Sequence, residues 1–372
     1  MQRVASLFRA VAISSALAMT GLLVGPASPC AAEEPKPPKA AGGRNARGGL
    51  SEATLRSVVL GGFLILLIVV FAVLSPQFLS WSNGTNILVN SSVIGLISLG
   101  QALTIISGGF DLSVSGTVPL GAVSFALLLN AGLPVWAAVL AVLVLGAIVG
   151  LINGITIANG KISALIATLG TMSITSGLAL TLANGLQVPF NDPRKGILAA
   201  HSLWGVSNQV WIFLAISLGL FFVLRGTVIG RYIYAVGGNR EAARLAGIRV
   251  NAVTVLVYIT SAALASLAGA VLASQLLTGT GLVGSTAALQ SIAAVILGGA
   301  ALTGGVGGVP GTLLGVFILG ILANGMAVLS VPSFYQTMAT GAVLLIAVGL
   351  SQFNPAGRLS GWRSSARRKH SG

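Results

Sequence analysis

The amino-acid sequence predicts an all-α polytopic membrane protein of about ten transmembrane helices, with helices broken at Gly-rich motifs. Three observations carry that class. The 372 residues are 55% hydrophobic and only 7% charged, with a mean hydropathy of +0.96, far too apolar for a soluble domain. Apolar windows of bilayer length, about 20 residues for a core of about 30 Å, recur from Ser57 almost to Gln352. The Lys and Arg residues gather at the two ends and in a few short loops, as orientation in a bilayer requires.

In chain order, residues 1–56 read as a signal-like or disordered extension. Arg3 and Arg9 precede an apolar run from Ala10 to Val24, and a Pro/Lys/Gly linker that cannot build a core follows. Cleavage as a signal peptide would leave Arg44, Arg47 and Arg56 outside, against every later loop. A non-translocated extension and a start codon placed too far upstream both remain open; a true extra helix would invert the rest. The apolar body, 57–352, holds spans near 57–75, 87–106, 115–131, 134–157, 163–183, 209–224, 253–275, 288–302, 311–330 and 335–351. With the amino end inside, alternation places Lys161, the arginines from Arg225 to Arg249, and the basic tail, 353–372, in the cytoplasm. Only the loop with Asp192, Arg194 and Lys195 falls outside. A strand barrel is excluded, because no segment alternates apolar and polar residues.

Several chemistries are excluded as well. Cys30 is the single cysteine, and His201 and His370 lie far apart, so a disulfide or metal site is not expected. The formal charge of +14 is not gathered into one stripe, which argues against nucleic acid. No GxxxxGK[ST] loop occurs, the nearest fragment being NGKIS at 159–163, so ATP hydrolysis by that route is absent and no cofactor is expected in this chain. Between Ser57 and Gln352 stand three carboxylates, Asp111, Asp192 and Glu241, too few for a proton relay or a paired-acid hydrolase.

Two stretches remain. In SGGFDLSVSG, 107–116, Gly108 and Gly109 are expected to end one helix, and Asp111 to accept hydrogen bonds from the free amides near Ser113 and Val114 at the start of the next. An irregular backbone of this kind is tolerated in a membrane only where protein or water covers it. A cap that merely shapes the fold and a group that touches solute are both open readings of Asp111. A fainter echo, GGVGGVPGTLLGVF, sets Gly304 and Gly305 as a second break.

The other stretch is RYIYAVGGNREAARLAGIRVNAV, 231–253. Gly237 and Gly238 suggest a turn, Asn239 a cap, Arg240 to Leu245 a short helix, and Gly247 its stop. Glu241 and Arg244 would be exposed, with Ala242 and Ala243 keeping the other face small, as for docking into a groove on another protein. An ordinary solvated loop helix is the alternative.

GGNREAARLAGI resembles the EAA-type coupling loop of ABC-transporter permeases of the ribose/xylose/arabinose type. GGFDLSVSG is similar to that family's GG(I/F)DLSVG motif, and SIAAVILGGAALTGGVGGVPGTLLG, 291–315, to its Gly-rich region. The three occur in family order, over about residues 57–352. Two departures stand out: Ala288, Leu289 and Gln290 where the family often has an acid, and Val306, Gly307 and Gly308 where it has an Arg. The resemblance implies a permease subunit in the bacterial inner membrane, dimeric with itself or a paralogue, surrounded by lipid. It further implies cytoplasmic ATPase subunits carrying ATP and magnesium, and an extracytoplasmic sugar-binding protein. Coupling would fall to Asn239, Arg240, Glu241, Ala242, Ala243, Arg244 and Gly247. Candidate groups for a hydroxyl-rich solute are Gln101, Asn153, Thr168, Thr171, Gln290 and Asn324, chosen as polar residues in apolar helices. The rival classes are a stand-alone carrier or channel for a small polar solute and a non-transport scaffold.

Overall fold

A computed structural model describes residues 52–190, 196–200 and 203–352; the amino-terminal extension as far as residue 51, the 191–195 loop and the basic tail lie outside the described residues. The described chain is helical. Its helices are α1 (Glu52–Leu74), α2 (Trp81–Ile106), α3 (Val114–Asn130), α4 (Val135–Ala158), α5 (Ala164–Leu182), α6 (Asn208–Gly226), α7 (Val228–Gly238), α8 (Arg240–Leu245), α9 (Val250–Leu276), α10 (Ala287–Leu297), α11 (Val309–Val328) and α12 (Ser333–Gln352). Every apolar window foreseen in the sequence overlaps one of them. Six of them, α2, α4, α5, α6, α9 and α11, are long and apolar enough to cross a membrane.

The window expected at 288–302 is shorter than foreseen, because α10 stops after 11 residues at Leu297. That is only about 16 Å of helix, half a bilayer core. Gly298 caps it and Gly299 turns the chain at φ +98°. Hydropathy alone runs on through this turn, since Ala300, Ala301 and Leu302 are as apolar as the helix before them.

Helix α9 lies at the centre, packed against α2, α3 and α4. Side-chain size explains the closeness. On α4, Gly146, Gly150 and Gly154 repeat every fourth residue and face the α9 backbone, where an added Cβ would collide with Ala262, Tyr258 and Val255. Helices in lipid gain nothing from the hydrophobic effect against each other, so close backbone contact replaces it. Gly100 of α2 meets Ser261 in the same way. Both α2 and α4 therefore reach α9 through glycine.

Two loop ends can be told apart. At one, strands β1 (Gln187–Pro189) and β2 (Thr278–Thr280) pair antiparallel, Val188 opposite Gly279, and Asn130 at the end of α3 donates to the Pro189 carbonyl at 3.0 Å. At the other, the α2–α3 turn, the end of α7 and the α10–α11 loop come together.

Candidate functional site

The α2–α3 break is built as the sequence suggested. Gly108 adopts φ +82°, its amide donates to Ile105 O at 3.0 Å, and the Gly109 amide donates to Thr104 O at 2.9 Å, satisfying the last carbonyls of α2. Asp111 follows, with its side chain wholly buried. Its Oδ1 accepts from the Ser113 amide at 3.0 Å and the Ser113 hydroxyl at 2.5 Å, and its Oδ2 accepts from the Ser261 hydroxyl at 2.8 Å. The second expected amide, that of Val114, is not among its partners. Ser261 stands 11 residues into α9, a helix long and apolar enough to cross a membrane, so the carboxyl group lies about 16 Å along it. At a bilayer centre an aspartate costs roughly 2.5–3.5 kcal/mol on insertion scales. Hydrogen bonds to a carboxylate, about 1.5–3 kcal/mol each, offset that cost.

Around Asp111 the structure gathers several candidates chosen from sequence. Gln101, in the amide orientation that satisfies both of its ends, donates to Asp111 O at 2.9 Å and accepts from Asp111 N at 3.2 Å, clamping the backbone. Asn153 donates to the Ser113 hydroxyl at 2.8 Å, and Thr171 donates to Asn153 Oδ1 at 2.6 Å. The chain of bonds runs from buried Asp111 through α4 to half-exposed Thr171, whose helix α5 exposes Gly170, Ser173 and Gly177. A second helix start joins this site: the Ala288 amide at the beginning of α10 donates to the Ser115 hydroxyl at 2.9 Å. The first turns of α3 and α10 thus touch, and Asp111 stands at the positive end of α3, a favourable placement for its charge.

Three candidates are not part of this network. Thr168 is buried and bonds only to carbonyls of its own helix, Ala164 O and Leu165 O. Asn324 on α11 donates to Asn83 Oδ1 at 3.0 Å. Gln290 lines a small cavity with Thr286, Leu289, Thr337 and Thr340.

The segment 231–253 is corrected in two respects. Gly237 and Gly238 form the last turn of α7 instead of a free turn. In α8, Ala242 is exposed, whereas Ala243 is 4% exposed and sits in the protein's own core with Val236 and Val253. The small face expected for a partner is therefore half turned inward. The ends match expectation: Asn239 Oδ1 accepts from the Ala242 amide at 2.9 Å, and Gly247 at φ +82° lets the Gly247 and Ile248 amides close on Arg244 O and Ala243 O. Glu241 and Arg244 are both well exposed and paired at 2.6 Å. Arg244, by hydrogen bond and charge, holds the Glu241 carboxyl below its ordinary pKa. An exposed pair of this kind adds little stability.

The three motifs meet at a junction of backbones. A Cβ on Gly237 would strike Ile106 O and approach the Gly305 amide at 2.7 Å; one on Gly304 would stand 2.8 Å from the Gly108 Cα. The Gly305 amide donates to Ile106 O at 2.8 Å, and the Tyr234 hydroxyl to Gly307 O at 2.9 Å. On α9 a second tie runs the same way. Arg240 donates to the Thr254 hydroxyl at 2.7 Å, Tyr258 donates to Phe110 O at 3.0 Å, and Ser261 holds Asp111. Thr254, Tyr258 and Ser261 were missed in the sequence, although their spacing of four and three residues puts them on one helix face. A cleft of about 720 Å³ opens between these ties, lined by Gly109, Lys161, Ser163, Arg240, Asn251 and Tyr258 among others.

Buried polar breaks inside an apolar helical bundle define a multi-pass membrane protein built around a discontinuous helix pair. Residues 83–348 match the family described as branched-chain amino acid transport system, permease component, and the chain belongs to that family. It is 38% identical over 289 residues to the ribose import permease protein RbsC of Escherichia coli K12, covering 77% of this chain and 90% of that one. To RbsC of Bacillus subtilis it is 38% identical over 303 residues, 79% and 92% of the two chains. To the L-arabinose ABC transporter permease protein AraH of Azospirillum brasilense it is 35% identical over 322 residues, 86% and 94%. No solved structure matches the chain.

Proposed function

We propose that this chain is the membrane-spanning subunit of an ATP-driven importer for a pentose or hexose. It would cross the bacterial inner membrane ten times, with both ends of its spanning domain in the cytoplasm. The observation that carries the reading is the double tie between α8 and the Asp111 break. A helix that projects from the bundle, yet is joined through Gly237 and through Arg240–Thr254 to a buried helix break, can convert a push into a rearrangement inside the membrane. The names of the ribose and arabinose relatives support a monosaccharide as cargo.

In this reading, cytoplasmic ATPases grip the exposed side of α8, namely Glu241, Ala242 and Arg244, and their closure on ATP drives alternating access. A binding protein delivers sugar from outside. Two permeases pair, and the exposed α5 surface of Gly170, Ser173 and Gly177 beside Thr171 gives the passage a wall of small and hydroxyl groups. Thr171 is then the terminus of the Asp111 network that sugar hydroxyls could reach.

Reconstitution with a partner ATPase and a sugar-binding protein is the decisive experiment, with ribose and arabinose as the first solutes. Sugar uptake that needs ATP and both partners is expected. Uptake by the chain alone without nucleotide would establish the carrier instead, and failure of any sugar to stimulate the ATPase would point to the scaffold.

A further inference from the structure

Helix α7 raises a question that transport does not answer. Thr227 caps it, and Gly230, Ile233 and Val236 form its buried face. The outward face of such a helix would carry polar groups if water covered it. Instead it presents Ile229, 45% exposed, and Tyr232, 40% exposed, beside Arg231. This pattern of apolar and aromatic residues with a cation belongs at the boundary between acyl chains and headgroups.

Between α7 and the start of α9 lies a groove of about 310 Å³, lined by Ile229, Tyr232, Gly247, Arg249, Ala252, Val253 and Leu256. Its walls are apolar and its one charge is Arg249; no carboxylate lines it. Of the neighbouring arginines, Arg240 bonds to Thr254, Arg244 pairs with Glu241 and Arg225 lies over the Phe221 ring, while Arg231 is exposed and does not line the groove. Arg249 is exposed, and its guanidinium has no hydrogen bond, ion pair or ring contact with the described residues; the same holds for the Tyr232 hydroxyl. Arg249 also occupies the amino-terminal cap of α9, where no side chain caps the free amides. A cation at the positive end of a 27-residue helix is electrostatically unfavourable. An anion between them relieves both.

We infer that this groove binds an anionic phospholipid, with its phosphate held by Arg249, Tyr232 and the Asn251 and Ala252 amides in the first turn of α9, and an acyl chain along Ile229, Val253 and Leu256. The apolar walls distinguish a lipid from free phosphate, which would gain nothing from them. Gly247, the stop of α8, borders the groove, so an occupied site would brace the coupling helix from the membrane side. The site holds whichever solute the protein carries.

Native mass spectrometry of the full chain in detergent, titrated with phosphatidylglycerol, phosphatidylcholine or inorganic phosphate, tests this. Tighter retention of phosphatidylglycerol than of phosphatidylcholine is expected. Arg249→Gln should weaken phosphatidylglycerol by about fivefold, the effect of one basic residue near an anionic lipid, and Arg249→Lys should restore most of it. Ala252→Trp fills the groove from an exposed position and should abolish the preference with Arg249 intact. Equal retention of the two lipids, an unchanged preference in either Arg249→Gln or Ala252→Trp, or full occupancy by inorganic phosphate would overturn the proposal. Should Arg249→Gln not fold, the wild-type titrations and Ala252→Trp decide alone.

Discussion

Asp111 is held by three hydrogen bonds from two serines, and its surroundings would accept an amide almost as well as an acid. An asparagine can keep its carbonyl oxygen toward the Ser113 amide and hydroxyl, and the Ser261 hydroxyl can rotate to accept from the new NH2 group. Asp111→Asn should therefore retain most thermal stability and, if the group is structural, most ATP-dependent uptake. Asp111→Ala removes every acceptor and leaves buried donors without partners, at about 1–3 kcal/mol for each unsatisfied group. A clear drop in the unfolding temperature of the purified protein is expected. Normal folding of Asp111→Asn with abolished uptake would instead assign the charge to the solute path. Gly237 is constrained by space alone: its φ is ordinary, but a Cβ would strike Ile106 O, whereas Gly238 beside it has nothing within 4 Å.

Helix α8 shows which part of such a site can be read from a sequence. Asn239 and Gly247 were legible because a cap and a left-handed stop are local chemistry, fixed by one residue and its neighbours. The direction of Ala242 and Ala243 was not, because a six-residue helix has too few turns to define a phase. The half-length of α10 was hidden by apolar residues that continue past Gly298–Gly299. Gln101, Asn153 and Thr171 were legible as polar outliers in apolar helices, but the network that joins them to Asp111 depends on α2, α4 and α5 meeting. Thr254, Tyr258 and Ser261 are unremarkable in an α9 rich in Ser and Thr, and only the fold reveals what they hold. The corrected phase changes the mutational expectation. Ala243→Trp should overfill the permease core, lowering its own expression and stability by the 1–3 kcal/mol typical of overpacking. Ala242→Trp projects outward, so the permease should accumulate normally while co-purifying poorly with its ATPase. A normal ATPase complex with Ala242→Trp would remove α8 as the docking surface.

Contacts between distant segments bear on how the chain threads the membrane. If helices alternate from an inside amino end, the α2–α3 turn, the α4–α5 turn, the α6–α9 connection and the α10–α11 loop share one side, and the other connections share the opposite side. The tertiary contacts fall into the same two groups. Gly108, Gly237 and Gly304 meet at one end, where Asn251 also reaches Asn159 at 3.5 Å. At the other, β1 pairs with β2 and Asn130 bonds to Pro189. A miscount by one helix would have placed segments in direct contact on opposite faces of a bilayer. Half-length α10 still reverses the chain, because residues 281–286 bring it back along α3, with Gly284 against Val118, before the helix begins. Single cysteines at Asn239 and Asn184, with Cys30 replaced, convert this pattern into a measurement. One spanning helix, α6, separates them, so an impermeant thiol reagent should reach Asn239→Cys only from the cytoplasm and Asn184→Cys only from outside. Both positions are exposed, and Asn239→Cys gives up only the cap of α8, typically about 1 kcal/mol, so folding should survive. Reaction of both from the same face would contradict the alternation, and with it the ten-crossing topology on which the cytoplasmic placement of α8 depends.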